Sequence, residues 1–180
     1  MKKIDTHLAG CFIIVPEIHR DARGSFFESF RQDHMESFLG APIHFVQDNQ
    51  SQSEYGVVRG LHFQTGQYAQ SKLVRVLEGT VLDVAVDLRP QSQTYGQHVA
   101  VELSTENQHQ LFIPKGFAHG YAVLSPTATL FYKVDQYYNP DFEDGIAHDD
   151  AALHIDWKLP VSHRKLSEKD VSLRNLILKQ

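Results

Sequence analysis

A single cysteine, Cys11, stands in a chain of 180 residues, and one thiol rules out an intramolecular disulfide and any multi-thiolate metal cluster. The chain therefore suits a reducing compartment, and Cys11 itself is expected to serve as a small buried apolar residue. A basic block is missing too: seventeen Lys and Arg face twenty-two Asp and Glu, for a formal net charge of -5. That balance excludes an extended nucleic-acid surface but leaves room for a local anion site. No apolar run is long enough to span a bilayer. The opening MKKIDTHLAGCFIIVPEI has two lysines and an apolar stretch, yet Asp5 and His7 interrupt it and no small-x-small cleavage site precedes Pro16 and Glu17. It reads as a first strand rather than a secretion signal, and the expected location is the cytoplasm.

Helical periodicity is equally scarce. Only RQDHMESFLG carries apolar residues at helical spacing, Met35, Phe38 and Leu39, with Gly40 as the stop. Elsewhere short apolar runs follow one another, with turn signals about every ten residues. After the strand around Cys11 to Val15 and the turn HRDARG come SFFESF, IHFVQDN from Ile43, VVRGLHF from Val57, KLVRVLE from Lys72 and VLDVAVDL from Val81. Then follow HVAVEL, QLFIP, the segment KGFAHGYAVL, the long strand TATLFYKVDQYY, the loop NPDFEDGIAHDD and a weakly periodic tail from Leu153. The Glu78-Gly79 pair is expected to fold KLVRVLE back on VLDVAVDL as a hairpin. Length and 42% hydrophobic composition support one domain over residues 1–180, all-β, a jelly-roll barrel with a few short peripheral helices.

Polar residues interrupt this rhythm in two places. The stretch VVRGLHFQTGQYAQSK sets an imidazole, His62, between two cations, Arg59 and Lys72, along one strand and its continuation. Such a grouping suits an anionic substrate whose proton must move, although a strand histidine taken alone is more often a hydrogen-bonded structural residue. In VLDVAVDL, Leu82, Val84, Val86 and Leu88 share one face while Asp83, Ala85 and Asp87 share the other. On an open sheet the second face is solvent; inside a barrel it is the wall of a polar cavity.

IPKGFAHGY places Pro114, Gly116 and His119 at P-x-G-x-x-H, and Gly56, His62 and Gly79 take the spacing of an earlier motif, so that the chain resembles the cupin superfamily. Metal-binding cupins have a second histidine two residues after the first and a glutamate before the final glycine. This chain has Gln64 and Lys72 there. An ammonium in the carboxylate's place repels a divalent cation, so no metal is expected. Lys and Arg in one pocket favour negative charge instead, on a phosphate or on an oxyanion formed during reaction.

DARGSFFESF, FVQDNQS, VVRGLHFQ, KLVRVLEGTVLDVAVDLR, IPKGFAHGY, LFYKVDQYY and LSEKD resemble, in that order, the dTDP-4-dehydrorhamnose 3,5-epimerase family of deoxysugar biosynthesis. The resemblance implies an isomerase that inverts C3 and C5 of dTDP-4-dehydro-6-deoxy-D-glucose, with His62 as base, Tyr132 as acid, Asp170 orienting the imidazole and Lys72 near the keto oxygen. It also implies a nucleotide-sugar site lined by Arg23, Glu28, Gln47, Asp48, Asn49, Arg59, His119, Tyr138, Glu143 and Lys169. It implies a homodimer, with N-terminal residues reaching a neighbour's site.

The residue types suit that chemistry in their own right. Both carbons beside a carbonyl have acidified C–H bonds, so epimerisation needs a base, an oxyanion stabiliser and an acid on the opposite face, and no cofactor. Single residues remain ambiguous. Asp170 lies three after Ser167, a capping-box spacing, and Asp83 is an alternative partner for His62. Tyr132 alone reads as strand packing, Arg59 and Lys72 as rim charges, and Tyr137 and Tyr138 are unranked as stacking partners for a base. Rival readings are an enzyme inverting one centre, a keto-isomerase of the same fold and a cupin that binds a sugar nucleotide without turnover. A metal-dependent cupin oxygenase is disfavoured by Gln64 and Lys72.

Overall fold

The computed structural model describes residues 1–176; the last four of the expected domain, 177–180, lie outside the described residues. In chain order the strands are β1 (Lys2–Asp5), β2 (Phe12–Val15), β3 (His19–Asp21), β4 (Gly24–Phe26), β5 (Gln47–Glu54), β6 (Val58–Gln64) and β7 (Lys72–Glu78). They continue with β8 (Thr80–Asp87), β9 (His98–Ser104), β10 (Gln110–Ile113), β11 (Phe117–Val123), β12 (Thr127–Val134) and β13 (Glu143–Gly145). Two α-helices, α1 (Gln32–Leu39) and α2 (Glu168–Val171), and three short 3-10 turns accompany them. No helix among the described residues is long and apolar enough to cross a membrane.

The strands form a six-stranded sheet, β1-β2-β10-β7-β12-β5, a five-stranded sheet, β13-β6-β11-β8-β9, and the small hairpin β3-β4. The two large sheets are antiparallel throughout and face each other, as the expected jelly roll requires. Val74, Leu111 and Leu130 of one sheet meet Val81, Ala85 and Val123 of the other between the layers. Each buried Val or Leu among them contributes about 1.5–3 kcal/mol. Both outer faces are covered as well. Leu82, Val84 and Val86 of β8 pack on Leu153 and Trp157 of the C-terminal segment, and the indole N–H of Trp157 donates to the His148 carbonyl at 2.7 Å. Phe12, Leu73 and Phe112 on the other sheet receive Met35 from α1. The helix stops where expected: Gly40 takes φ 68°, and its N–H reaches the Glu36 carbonyl.

Several expectations are corrected. Glu78-Gly79 makes no hairpin, because β7 belongs to the six-stranded sheet and β8 to the five-stranded one; the chain crosses between layers there, with Gly79 at φ 77°. The strand expected from Ile43 begins at Gln47, since Ile43 and Phe45 pack against the cluster under α1 instead. The opening strand is two, β1 and β2. KGFAHGYAVL holds a fully buried strand, β11, paired on both sides, and the loop after Tyr138 contains β13.

Strand β6 contains the irregularity on which the site depends. His119 pairs with His62 and Tyr121 with Arg59, so two steps on β11 oppose three on β6. The extra residue is a bulge. Strict alternation would send Arg59 and His62 to opposite faces; the bulge returns both to one. Gly60 sits at its centre with φ +110°, and a Cβ there would lie 2.6 Å from both Gly120 Cα and the His119 carbonyl oxygen. Gly60→Ala is expected to cost at least about 1–3 kcal/mol of stability, measured by urea unfolding. A loss below about 0.5 kcal/mol, the range of an ordinary surface change, would show that the close approach of β6 and β11 is not required.

Candidate active site

Between the sheets opens a cavity of about 440 Å³, large enough for much of a substrate molecule. The five-stranded sheet contributes Arg59 and His62 from β6, His119 and Tyr121 from β11, and Glu143 from β13; the six-stranded sheet contributes Gln47 and Asn49 from β5, Lys72 from β7 and Tyr132 from β12. Lys72 is therefore not on the continuation of the His62 strand, as the sequence suggested, but on the opposing sheet.

His62 is the best-supported group in the cavity. Its Nε2 lies 2.7 Å from Asp170 Oδ1, with the imidazole about a quarter exposed and the carboxylate buried. Asp170 also receives the Ser167 hydroxyl at 2.7 Å and the Gly60 N–H at 3.3 Å. Burial alone would raise this carboxyl, but the contacts from His62, Ser167 and Gly60 outweigh it and hold it at about 2. The capping alternative holds simultaneously, because Ser167 Oγ accepts the Asp170 N–H at 3.1 Å. The other alternative fails: Asp83 pairs with His119, Oδ1 to Nε2 at 2.8 Å, and not with His62.

Lys72 is buried rather than a rim charge, and burial pushes its ammonium down to about 8 against the raising influence of Asp83 and Glu143. Its Nζ stands 6.0 Å from the centre of the Tyr132 ring, and that ring stands 6.4 Å from the ring of His119. Burial, with Tyr121 next, raises the Tyr132 phenol, which keeps it protonated at neutral pH. Burial lowers His119.

Toward the mouth, Glu143 Oε2 accepts from the Tyr138 hydroxyl at 2.6 Å and meets Lys169 Nζ at 2.5 Å. Tyr138, held by Glu143 to about 12, lines the cavity; Tyr137 does not. Sequence reasoning missed Ser51 and Ser53, whose hydroxyls meet the Tyr121 hydroxyl at 2.9 and 3.3 Å, with Arg59 Nε donating to Ser53 Oγ at 3.1 Å. The alternating polar run QDNQSQSE was the available signal.

Three expected residues stay out of the cavity. Asp48 falls on the outward face of β5, between Gln47 and Asn49, and pairs with Lys133 at 2.9 Å. Arg23 sits at the tip of the β3-β4 hairpin, its side chain 90% exposed and bonded to Asp21. Glu28 lies nearby at the surface beside Arg31. Among the described residues no group of three or more His, Cys, Asp or Glu converges as metal ligands.

Comparison with known proteins agrees with this geometry. A family model described as dTDP-4-dehydrorhamnose 3,5-epimerase matches residues 5–177. The chain is 49% identical over 176 residues to the dTDP-4-dehydrorhamnose 3,5-epimerase of Escherichia coli K12, covering 98% of this chain and 95% of that one. It is similar to the crystal structure of the enzyme of that name from Elizabethkingia anophelis NUHP1, with TM-score 0.94, 49% identity and coverage of 97% and 96%. A Legionella pneumophila dTDP-6-deoxy-D-glucose-3,5-epimerase, solved in complex with dTDP-4-keto-L-rhamnose, superposes with TM-score 0.93 at 49% identity, covering 97% and 92%. On a cupin jelly roll with this cavity at its centre, the chain belongs to the dTDP-4-dehydrorhamnose 3,5-epimerase family of isomerases.

Proposed function

We propose that the cavity binds dTDP-4-dehydro-6-deoxy-D-glucose and inverts C3 and C5 by proton removal and return beside the 4-keto group, in dTDP-L-rhamnose and deoxysugar biosynthesis. The observation that carries this reading is His62 on one sheet, paired with Asp170 of α2, facing a buried Lys72 and a protonated Tyr132 on the other sheet. His62 takes the proton from carbon, and Asp170 stabilises the imidazolium formed. The electron pair moves onto O4, where the Lys72 cation opposes the developing charge. Tyr132 returns a proton from the opposite face, which is what inversion demands. The steps are redox-neutral. Lys72 and Gln64, where metal-binding cupins place ligands, make a poor cation site.

Nucleotide binding falls to the groups toward the mouth. Lys169 and Arg59 offer charge to a diphosphate, Gln47 and Asn49 offer amides, and Tyr138 offers an exposed ring for the base. The protein acts in the cytoplasm, which the single buried thiol of Cys11 suits.

The active species is a homodimer in which Arg23 and Glu28 of one copy complete the site of the other. What supports this is their position: both protrude outside their own chain's cavity, and Phe26 beside them is 68% exposed. Mixing Arg23→Ala with His62→Ala protein and allowing exchange of subunits is expected to restore activity that each lacks alone. A hybrid has one site with an intact His62 that receives an intact Arg23. No recovery, in a mixture shown to exchange, would refute a shared site.

Removing His62 tests the chemistry. With His62→Ala, deuterium exchange from heavy water into C3 and C5 is expected to fall by roughly 10² to 10⁴, while dTDP binding persists. Tyr132→Phe is expected to retain exchange but lose inversion at one or both carbons. Wild-type exchange in the first variant, or normal inversion in the second, places the base or the acid elsewhere.

A further inference from the structure

Asp83 is fully buried on β8, its side chain turned to the inner face while Leu82 and Val84 pack outward. Asp87, four positions on and equally buried, is engaged at both oxygens by Arg89, Ser92 and Thr94. Asp83 is not: Oδ1 meets His119 Nε2 at 2.8 Å, while Oδ2 is buried with no hydrogen-bond partner among the described residues. Burying a carboxylate oxygen without a donor is costly, so its charge must be opposed from elsewhere.

Lys72 is the group that needs that charge. Among the described residues it makes no ion pair, and the groups around it divide clearly. Arg59 and His62 on β6 are cationic or can become so. Tyr121 on β11 and Tyr132 on β12 offer phenol hydroxyls rather than carboxylates. Of the remaining carboxylates, Asp170 is taken by His62 and Ser167, and Glu143 by Lys169 and Tyr138. Asp135, beside the start of β7, accepts the Ser71 N–H and meets Lys115. Of these carboxylates, Asp83 alone keeps an oxygen free of any donor among the described residues. Burial together with the Lys72 and His62 charges outweighs Asp83 at His119 and leaves its imidazole neutral at neutral pH, so the Asp83–His119 contact is a neutral-donor hydrogen bond. Asp83 is the first raising influence on Lys72, ahead of Glu143.

We propose that Asp83 is a positioning residue for the epimerisation: it is the buried counter-charge that keeps Lys72 cationic at the keto oxygen, and it fixes His119 in the same contact. This rests on the role given to Lys72 above and extends it. Without Asp83 the enolate would face a neutral amine, a far weaker stabiliser of an oxyanion. Asp83 itself exchanges no proton with the sugar.

The test is an NMR titration of lysine side chains in the full chain labelled with ¹⁵N,¹³C-lysine, with Lys72 assigned by its loss in Lys72→Met. In the wild type Lys72 is expected to titrate near 8. In Asp83→Asn its midpoint should fall by on the order of one unit or more, and in Asp83→Glu, which keeps the charge, stay within about half a unit of wild type. The alkaline limb of the exchange rate should move down with the Asp83→Asn midpoint while dTDP affinity is unchanged. A midpoint that Asp83→Asn leaves in place overturns the proposal. Should that variant not fold, the wild type decides: a midpoint at the ordinary lysine value of about 10.4, or below about 7, means that Asp83 does not set the charge. The titration uses no sugar. If it succeeds and the wild type exchanges no deuterium, the epimerase reading falls and the Asp83–Lys72 link stands.

Discussion

The contact between the Asp170 carboxylate and the His62 imidazole ties together parts of the chain that otherwise have little reason to meet. Asp170 donates its N–H to the helix-capping Ser167 hydroxyl, accepts the Gly60 N–H at the β6 bulge and lies 2.7 Å from His62. One group thus fastens the C-terminal segment over the five-stranded sheet and orients the proposed base. A carboxylate with this many donors stays ionised at neutral pH, and an ionised partner is what an imidazole needs to take up a proton in a half-buried place. The segment around α2 is held to the sheet by the same atoms that would orient the proposed base.

The division of labour between the sheets follows from the jelly roll itself. The proposed base, His62, and the paired His119 and Asp83 belong to the five-stranded sheet; Lys72 and Tyr132 belong to the six-stranded sheet. A sugar ring held between the layers presents one face to each. Inversion requires groups on both faces of a carbon, and the two facing sheets each supply some of them. The remaining polar groups, Tyr138, Glu143 and Lys169, stand toward the mouth, where a nucleotide too large for the interior would extend.

Much of this was legible in the sequence, for definable reasons. Alternation in VLDVAVDL placed Asp83 with Ala85 away from Leu82 and Val84, and the structure keeps that division with Asp83 on the inside. The helix ending at Gly40 followed from apolar spacing and a stop signal. Sheet membership was not legible: Glu78-Gly79 has the residues of a hairpin, but whether a strand turns back or crosses to the facing layer is decided by long-range pairing with β10, β11 and β12. The bulge was hidden too. A period-two reading separates Arg59 from His62, and only the register against β11 shows the inserted residue. Asp170 could not be chosen over Asp83 because each has the right chemistry, and distance in the fold alone assigns them to His62 and His119. Arg23 and Glu28 came from the resemblance, and within one chain they do not reach the cavity.

The central claim is that one cavity deprotonates both carbons flanking the 4-keto group and returns each proton to the opposite face. The direct measurement is ¹H and ²H NMR of dTDP-4-dehydro-6-deoxy-D-glucose incubated with the wild-type protein in heavy water. The account predicts one deuterium at C3 and one at C5, with both centres inverted in the product. Deuterium at a single carbon, or a sugar nucleotide that binds and emerges unlabelled, would contradict it.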